Sequence, residues 1–143
     1  MTREDKGHFK QKHPDNTTYD PLIADAVTAK ADNGCISCAS AFTVAGDLST
    51  TPAEVGKTMD LLEIRLVRCQ LGLFGYPENK IVKPAADVSS ALKELIHAKA
   101  ENGRLSCDAC WRIAEQQQIP RMQVSAACET LSIKLKPCQL GAF

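Results

Sequence analysis

The chain has 143 residues, of which 44% are hydrophobic and 24% charged, and its 17 basic residues balance its 17 acidic ones. A net charge of zero removes the simplest argument for a nucleic-acid partner, and no apolar run approaches the roughly 18 residues that a membrane-spanning helix needs. The N-terminus lacks the apolar stretch of a signal peptide, so we expect a soluble cytoplasmic protein that does not bind membranes.

The chain contains the same module twice. Residues 31–74 align without a gap with residues 100–143, at an offset of 69 positions. A repeat of this kind implies that each copy forms one supersecondary unit of the same shape. We therefore divide the chain into a basic N-terminal arm (1–19), a first repeat (20–74), a linker or wing strand (75–88) and a second repeat (89–143).

Each copy is predicted to begin with a helix. In the first copy Asp20 provides a capping side chain, and a proline follows at the first helical position. In the second copy Ser89 or Ser90 provides the cap, before apolar residues at helical spacing. An Asn-Gly pair, at 33–34 and again at 102–103, tolerates a left-handed backbone and is expected to close each helix.

A second and a third helix should follow in each copy. Ser37 and Ser106 are placed to cap the second helix. Residues 51–54 have the form of a capping box, so the third helix should run from there to about Leu62. The second copy has Pro120 in place of the capping threonine, so its cap must differ.

Beyond each third helix the pattern changes from helical to alternating. Ile64 and Leu66, like Ile133 and Leu135, should lie on one side of a short strand. After the first copy a turn-rich stretch leads into residues 81–84, which could return as an antiparallel partner and so form a wing, or serve as a linker.

The repeat also predicts a core, because apolar residues at helical spacing mark the inner face of a helix. Matching positions in the two copies should be buried. They are Cys38, Phe42, Ala45, Val55, Leu62 and Ile64 in the first copy, and Cys107, Trp111, Ala114, Val124, Leu131 and Ile133 in the second.

The second and third helices, with the turn between them, resemble the helix-turn-helix of bacterial regulators. Residues 44–55 carry the likeness, with Ala45, Leu48 and Val55 at the packing positions. In the second copy the matching residues are Ile113, Ala114, Ile119 and Val124. With the first helix and the trailing strand, the resemblance implies a mainly α fold with short β strands, built from two tandem winged-helix-like repeats, each a three-helix helix-turn-helix unit.

The chain departs from this pattern at the turn, where Ser49 and Gln118 replace the usual glycine. Its HFKQKHP opening and its two CQLG-x-F endings also resemble a small family of bacterial proteins, a likeness that implies no function.

The leading functional hypothesis is a DNA-binding or transcription-associated protein that takes double-stranded DNA as its partner. In such proteins the third helix projects side chains into the major groove. The first copy offers Glu54 and Asp60 there, which phosphate would repel. The candidate nucleic-acid-binding residues are therefore Arg121, Gln123 and Ser125 on the third helix of the second copy, Lys134 and Lys136 beside it, and Lys10 and Lys12 in the N-terminal arm. We expect this arm to be mobile until it binds.

Two other functions stay open. A protein-interaction or assembly module of winged-helix type would bind a protein partner or a second copy of itself. A metal or redox sensor would use Cys35 with Cys38 and Cys107 with Cys110, which have the two-residue gap of many metal sites. Because these pairs fall at different positions in the repeat, we expect packed thiols without metal. No phosphate loop or nucleophile arrangement is present, so we expect neither an enzyme nor a cofactor.

Overall fold

The computed structural model of the chain describes residues 8–143. Within them the chain forms one short 3-10 helix, six α-helices and four short strands, which confirms the expected mainly α fold with short β-strands. The chain divides into two compact units. The first takes the chain up to Cys69 together with Gln139–Phe143, and the second is Gln70–Cys138. The last five residues of each repeat therefore belong to the unit that is built around the other repeat.

The first unit consists of three helices and a pair of parallel strands. Its elements are the 3-10 helix Phe9–Lys12, α1 (Pro21–Lys30), β1 (Cys35–Ser37), α2 (Cys38–Asp47), α3 (Pro52–Leu61) and β2 (Arg65–Val67). β1 and β2 pair in parallel, with Ile36 opposite Leu66. Both of these side chains are buried, so the strand pair closes one side of the three-helix core.

The second unit repeats this arrangement. Its elements are α4 (Ser90–Lys99), β3 (Arg104–Leu105), α5 (Cys107–Gln117), α6 (Arg121–Thr130) and β4 (Lys134–Leu135). β3 and β4 pair in parallel, with Leu105 opposite Leu135. In both units a strand that precedes the second helix thus pairs with the strand that follows the third.

Residues 81–84 do not form the antiparallel wing strand that was one of the two alternatives for residues 75–88. The strand partner of β2 is β1, and residues 80–85 contain no strand. The backbone N–H groups of Ile81 and Val82 instead donate to the carbonyl of Gly72 at 2.9 and 3.1 Å. Further along, the Ala85 N–H donates to the Ala126 carbonyl of α6 at 3.1 Å, so this stretch lies along α6 rather than beside a strand.

Helix beginnings follow the sequence closely. The side chains of five residues accept a hydrogen bond from a backbone N–H in the first turn, at 2.8–3.2 Å; they are Asp20, Ser37, Thr51, Ser89 and Ser106. Pro120 precedes α6 without a side-chain hydrogen bond, as its lack of an acceptor side chain implies.

The Asn-Gly pairs do not close the helices that precede them, which corrects the prediction. α1 ends at Lys30, and Asn33 and Gly34 follow with φ of 51° and 75°. They form the tip of a two-residue turn, closed by two backbone hydrogen bonds of 2.8 and 2.9 Å between Asp32 and Cys35. Asn-Gly suits such turns because both residues tolerate positive φ. The same turn recurs at residues 102–103 and directs the chain into β3.

The predicted core is largely present, with five residues less buried than expected. Seven of the predicted positions are buried, namely Cys38, Ala45, Val55, Ile64, Cys107, Ala114 and Val124. The five that are only half-buried are Phe42, Leu62, Trp111, Leu131 and Ile133. Phe42 and Trp111 are half-buried at matching positions, so the two copies depart from the prediction together.

The turn between the second and third helices keeps the left-handed backbone that glycine usually supplies. Ser49 and Gln118 have φ of 52° and 55°. Leu48, expected to pack inside, is 38% exposed because it lies at the C-terminal cap of α2, where the chain leaves the helix.

Candidate functional site

Four cationic side chains gather at one edge of the second unit. Parallel pairing places Arg104 of β3 opposite Lys134 of β4, and Lys136 follows immediately after β4. Lys99, the last residue of α4, lines an open depression of about 520 Å³ together with Arg104 and Lys136. We call Lys99, Arg104, Lys134 and Lys136 the cationic edge.

The charges of the cationic edge are available to a partner in solution. All four side chains are exposed, and within residues 8–143 none of them takes part in an ion pair or a side-chain hydrogen bond. Glu101 contributes one carboxylate to the rim of the depression. Several like charges close together raise the local potential above what a net charge of zero suggests.

The third helix of the second unit is partly covered by the chain itself. Ser125 is fully buried, and its Oγ donates a hydrogen bond to the Leu71 carbonyl at 2.8 Å. The prediction that Ser125 lies on a binding face was therefore wrong. Residues 71–72 occupy that side of α6, which the helical pattern alone could not reveal.

Arg121 and Gln123 are both exposed near the start of α6. The guanidinium of Arg121 stacks on the Trp111 ring, 3.5 Å from its centroid, and Nη1 donates to Oε1 of Gln70 at 3.3 Å. Stacking of this kind fixes the arginine while leaving its charge in place. Gln123 is the other predicted reader of base edges that the structure leaves accessible.

A groove of mixed charge lies between α5 and α6. It has a volume of about 540 Å³ and is lined by Trp111, Ile119, Arg121 and the ion pair of Asp108 with Arg112, whose Oδ2 and Nε lie 3.0 Å apart. Because acidic and basic side chains alternate here, this groove lacks the single sign of charge found at the cationic edge.

The described part of the N-terminal arm is docked against the first unit, whereas residues 1–7 of the predicted arm lie outside the described residues. Phe9 is buried, and the backbone N–H groups of Phe9 and Lys10 donate to the two carboxylate oxygens of Glu63 at 3.0 and 2.9 Å. The expectation of a mobile arm was wrong for residues 8–13, because Phe9 enters the apolar core and Glu63 binds the start of the 3-10 helix.

Lys12 does not have a free charge for phosphate, in contrast to its predicted role. Its Nζ lies 3.1 Å from Oδ2 of Asp60 and donates to the Gly141 carbonyl at 3.1 Å. The Lys10 side chain is exposed. Of the two predicted lysines of the arm, Lys10 is thus the one that remains available.

The acidic face of α3 is largely compensated within the unit. Asp60 also lies 2.9 Å from Nε2 of His13, and Glu54 pairs with Lys57 at 2.9 Å. The repulsion of phosphate expected from Glu54 and Asp60 is therefore reduced by neighbouring cations. α3 is also covered on one side: Gly56 is buried, and a Cβ there would overlap the carbonyl oxygen of Leu140.

The cysteines are mostly internal. Cys38, Cys107 and Cys110 are buried, while Cys35 is half-buried. Within residues 8–143 no three His, Cys, Asp or Glu side chains are grouped so as to hold a metal ion. Burial, with a smaller contribution from the adjacent Glu129 carboxylate, raises the pKa of the Cys128 thiol to about 12, because both disfavour the thiolate.

Sequence reasoning missed two members of the cationic edge. Lys99 and Arg104 are separated in sequence from Lys134 and Lys136, and only the parallel pairing of β3 with β4 brings them together. The repeat itself offered a signal, since Arg104 replaces a cysteine of the first copy in a strand-like position.

No helix among the described residues has the length and apolar character needed to cross a membrane. The chain matches no protein-family model, no curated protein and no solved structure.

Proposed function

We propose that this protein binds double-stranded DNA through the cationic edge of its second unit, in a DNA-associated or transcription-associated role. The observation that carries the proposal is the convergence of four exposed cations, Lys99, Arg104, Lys134 and Lys136, that have no partner within residues 8–143. Lysine and arginine on one face neutralise phosphates and release counterions, which supplies most non-specific affinity for DNA.

The contacts proposed here are mainly to the phosphate backbone. We do not expect the whole length of α6 to contact base edges, because Ser125 is buried under residues 71–72 and Arg121 is stacked on Trp111. Arg121 and Gln123 remain at the accessible start of α6, where they can add contacts of their own. Phosphate contacts position a protein but carry no sequence information, so we expect weak sequence preference.

We further propose that each unit is a winged-helix-like variant of the three-helix helix-turn-helix. The support is the order helix, strand, helix, turn, helix, strand, which both units share. In the second unit, residues 80–85 lie against α6 at the place in the chain where a wing was one of the alternatives.

The test is binding of a mixed-sequence DNA duplex at several salt concentrations. Replacing Arg104→Ala together with Lys136→Ala should make the negative slope of log affinity against log salt shallower by about 1.8, since each lost phosphate contact removes about 0.9. The matched control is Lys83→Ala with Lys93→Ala, which removes the same charge from exposed positions elsewhere in the unit and should leave most of the slope in place. Equal losses in both variants, or no binding by the natural chain at low salt, would refute the proposal.

A second candidate function, an assembly module, is favoured by a separate observation. The 70–74 segment that ends the first repeat belongs to the second unit, and Gln139–Phe143, which ends the second repeat, belongs to the first. Each unit thus completes itself with residues from the other repeat.

A further inference from the structure

Each third helix binds a short irregular segment on one face. In the first unit Leu140 and Ala142 are buried, and the Leu140 backbone lies directly against Gly56 of α3. In the second unit Leu71 is buried, and its carbonyl accepts the hydrogen bond from Ser125 of α6. We call the face of α3 around Gly56 the first seat and the face of α6 around Ser125 the second seat.

The two seats are equivalent under the repeat. Leu140 matches Leu71, and Ser125 matches Gly56, at the same offset of 69 positions. The carbonyls of the matching glycines both accept hydrogen bonds, although from different donors: Gly141 accepts from Lys12 Nζ at 3.1 Å, and Gly72 accepts from the backbone N–H groups of Ile81 and Val82. One mode of segment binding therefore occurs twice in this chain.

In each unit the segment that fills the seat is the end of the repeat around which the other unit is built. The 139–143 segment comes after β4 of the second unit but packs within the first, and the 70–74 segment comes after β2 of the first unit but packs within the second. In a domain-swapped dimer two identical chains exchange the same segment. Here the two repeats of one chain exchange theirs in the same way. A unit is incomplete until a segment from a different repeat fills its seat.

We propose that the first seat also accepts the 139–143 segment of a second copy of this chain, so that two chains exchange these segments and form a dimer. The contacts made between chains are those already made within one chain. They include the burial of Leu140 and Ala142, the approach of Leu140 to Gly56, and the hydrogen bond from Lys12 to Gly141.

Concentration decides between the two arrangements. A segment tethered to its own chain competes at an effective concentration in the millimolar range, so exchange within one chain prevails in dilute solution. One feature allows the segment to leave its seat. It contains no helix or strand, so no strand ladder has to break when it leaves.

A pair of complementary variants tests the proposal. Gly56→Ala blocks the seat while leaving the segment intact, because the added Cβ overlaps the Leu140 carbonyl. Leu140→Asp disables the segment while leaving the seat intact, because a carboxylate replaces a buried leucine side chain. Neither variant can fill its own first seat. In an equimolar mixture the intact segment of the first chain should enter the intact seat of the second and give a heterodimer, measured by analytical ultracentrifugation and native mass spectrometry.

The matched control mixes Leu140→Asp with Gly46→Ala. Gly46 lies on α2 with no atom within 4 Å of an added Cβ, so this chain fills its own seat and the mixture should stay monomeric. Far-ultraviolet circular dichroism establishes that each variant is folded. Folded Gly56→Ala and Leu140→Asp chains that remain monomers when mixed would overturn the proposal.

A second measurement uses the natural chain and so does not depend on the variants folding. Sedimentation up to about 1 mM, the range in which tethered and free segments compete, should show a growing dimer fraction. Leu140→Asp should abolish that fraction. A natural chain that stays monomeric throughout, or a dimer that Leu140→Asp leaves unchanged, would refute segment exchange.

Discussion

The two units share a backbone plan but differ in charge at matching positions. The cationic edge of the second unit has Arg104 and Lys136 where the first has Cys35 and Val67. The lysine of β4 is matched by Arg65, which in the first unit lies 6.0 Å from the centroid of the Phe9 ring and is half-buried. Lys99 is matched by Lys30, so two of the four positions are cationic in both copies and two in the second copy alone.

In both units an acidic side chain of the third helix forms an ion pair with a lysine from outside the three helices. Beside the third helix, Asp60 of the first unit pairs with Lys12 at 3.1 Å, and the matching Glu129 of the second pairs with Lys80 at 2.6 Å. The lysines come from the N-terminal arm in one case and from the linker in the other. These two stretches, which look unrelated in sequence, therefore occupy corresponding places in the two units.

The largest expected effect contrasts the glycine of the first seat with an open helical glycine. Gly56→Ala should lower the free energy of unfolding by about 3 kcal/mol, the upper range for overpacking, because the Leu140 backbone cannot be avoided by a rotamer change. Gly46→Ala should instead raise it by about 0.5–1 kcal/mol, since alanine favours a helix and nothing lies nearby. Urea unfolding measures both free energies. Equal effects would show that overlap with the Leu140 backbone does not destabilise the Gly56→Ala chain.

A smaller loss is expected at the matching position of the second unit. Ser125→Ala removes the 2.8 Å hydrogen bond to the Leu71 carbonyl in a fully buried site and should cost about 1–2 kcal/mol. Urea unfolding measures this change, and Thr43→Ala is the control because its hydroxyl hydrogen bond, to the Ala39 carbonyl, is exposed. If both variants lose the same free energy of unfolding, burial of the Ser125 hydrogen bond adds nothing to its contribution to stability.

The third contrast uses pH. In the second unit the buried Cys128 thiol has a pKa of about 12, above its ordinary value of 9.0, and the first unit has Met59 at that position. A raised folded pKa gives stability that is complete below about pH 9 and declines toward pH 12. At pH 10 the decline attributable to Cys128 should be about 1 kcal/mol or more. Cys128→Met should therefore flatten the alkaline limb of stability against pH, measured by urea unfolding between pH 7 and about 10.5.

Cys35→Met is the control for this pH experiment, because it makes the same replacement at a thiol that is only half-buried. An alkaline limb that is identical in the natural chain and in Cys128→Met would remove Cys128 as its source.

The smallest effect on the fold, and a direct test of the charge contrast, comes from giving the first unit the cations of the second. Cys35→Arg with Val67→Lys should steepen the salt dependence of DNA binding by up to about 1.8, since each new phosphate contact adds about 0.9. The reverse double replacement, Arg104→Cys with Lys136→Val, should remove a similar amount. A slope that responds to neither exchange would show that the cationic edge is not where DNA is bound.

Local sequence was sufficient for the helices because their signals lie within a few residues. Capping by Ser37 and Thr51 was predictable from acceptor side chains three residues before a backbone N–H, and both hydrogen bonds are present. The left-handed backbone at Ser49 and Gln118 could be expected from the likeness to a glycine-bearing turn. Asn33 and Gly34 adopt positive φ as predicted, but the strand that follows places them in a turn rather than at a helix end.

The candidate site could be predicted only in part. Exposure of Lys134 followed from its place between the apolar residues Ile133 and Leu135, whereas the burial of Ser125 could not be read from α6 alone. Serine is polar and falls beside Val124, so its place on the inner face depends on the segment that covers it. The loss of Lys12 as a phosphate ligand has the same origin, because its partners Asp60 and Gly141 are distant in sequence.

What the sequence by itself determined was the repeat, the helices and most of their caps, since these rest on periodicity and on hydrogen bonds between near neighbours. Tertiary structure alone decided the parallel strand pairs, the assembly of the cationic edge and the exchange of the segments around Leu71 and Leu140. The two copies of CQLG-x-F are nearly identical, so neither carries a local signal for which third helix it will bind. That choice depends on the contacts available when the whole chain has folded, and periodicity within one element contains no information about it.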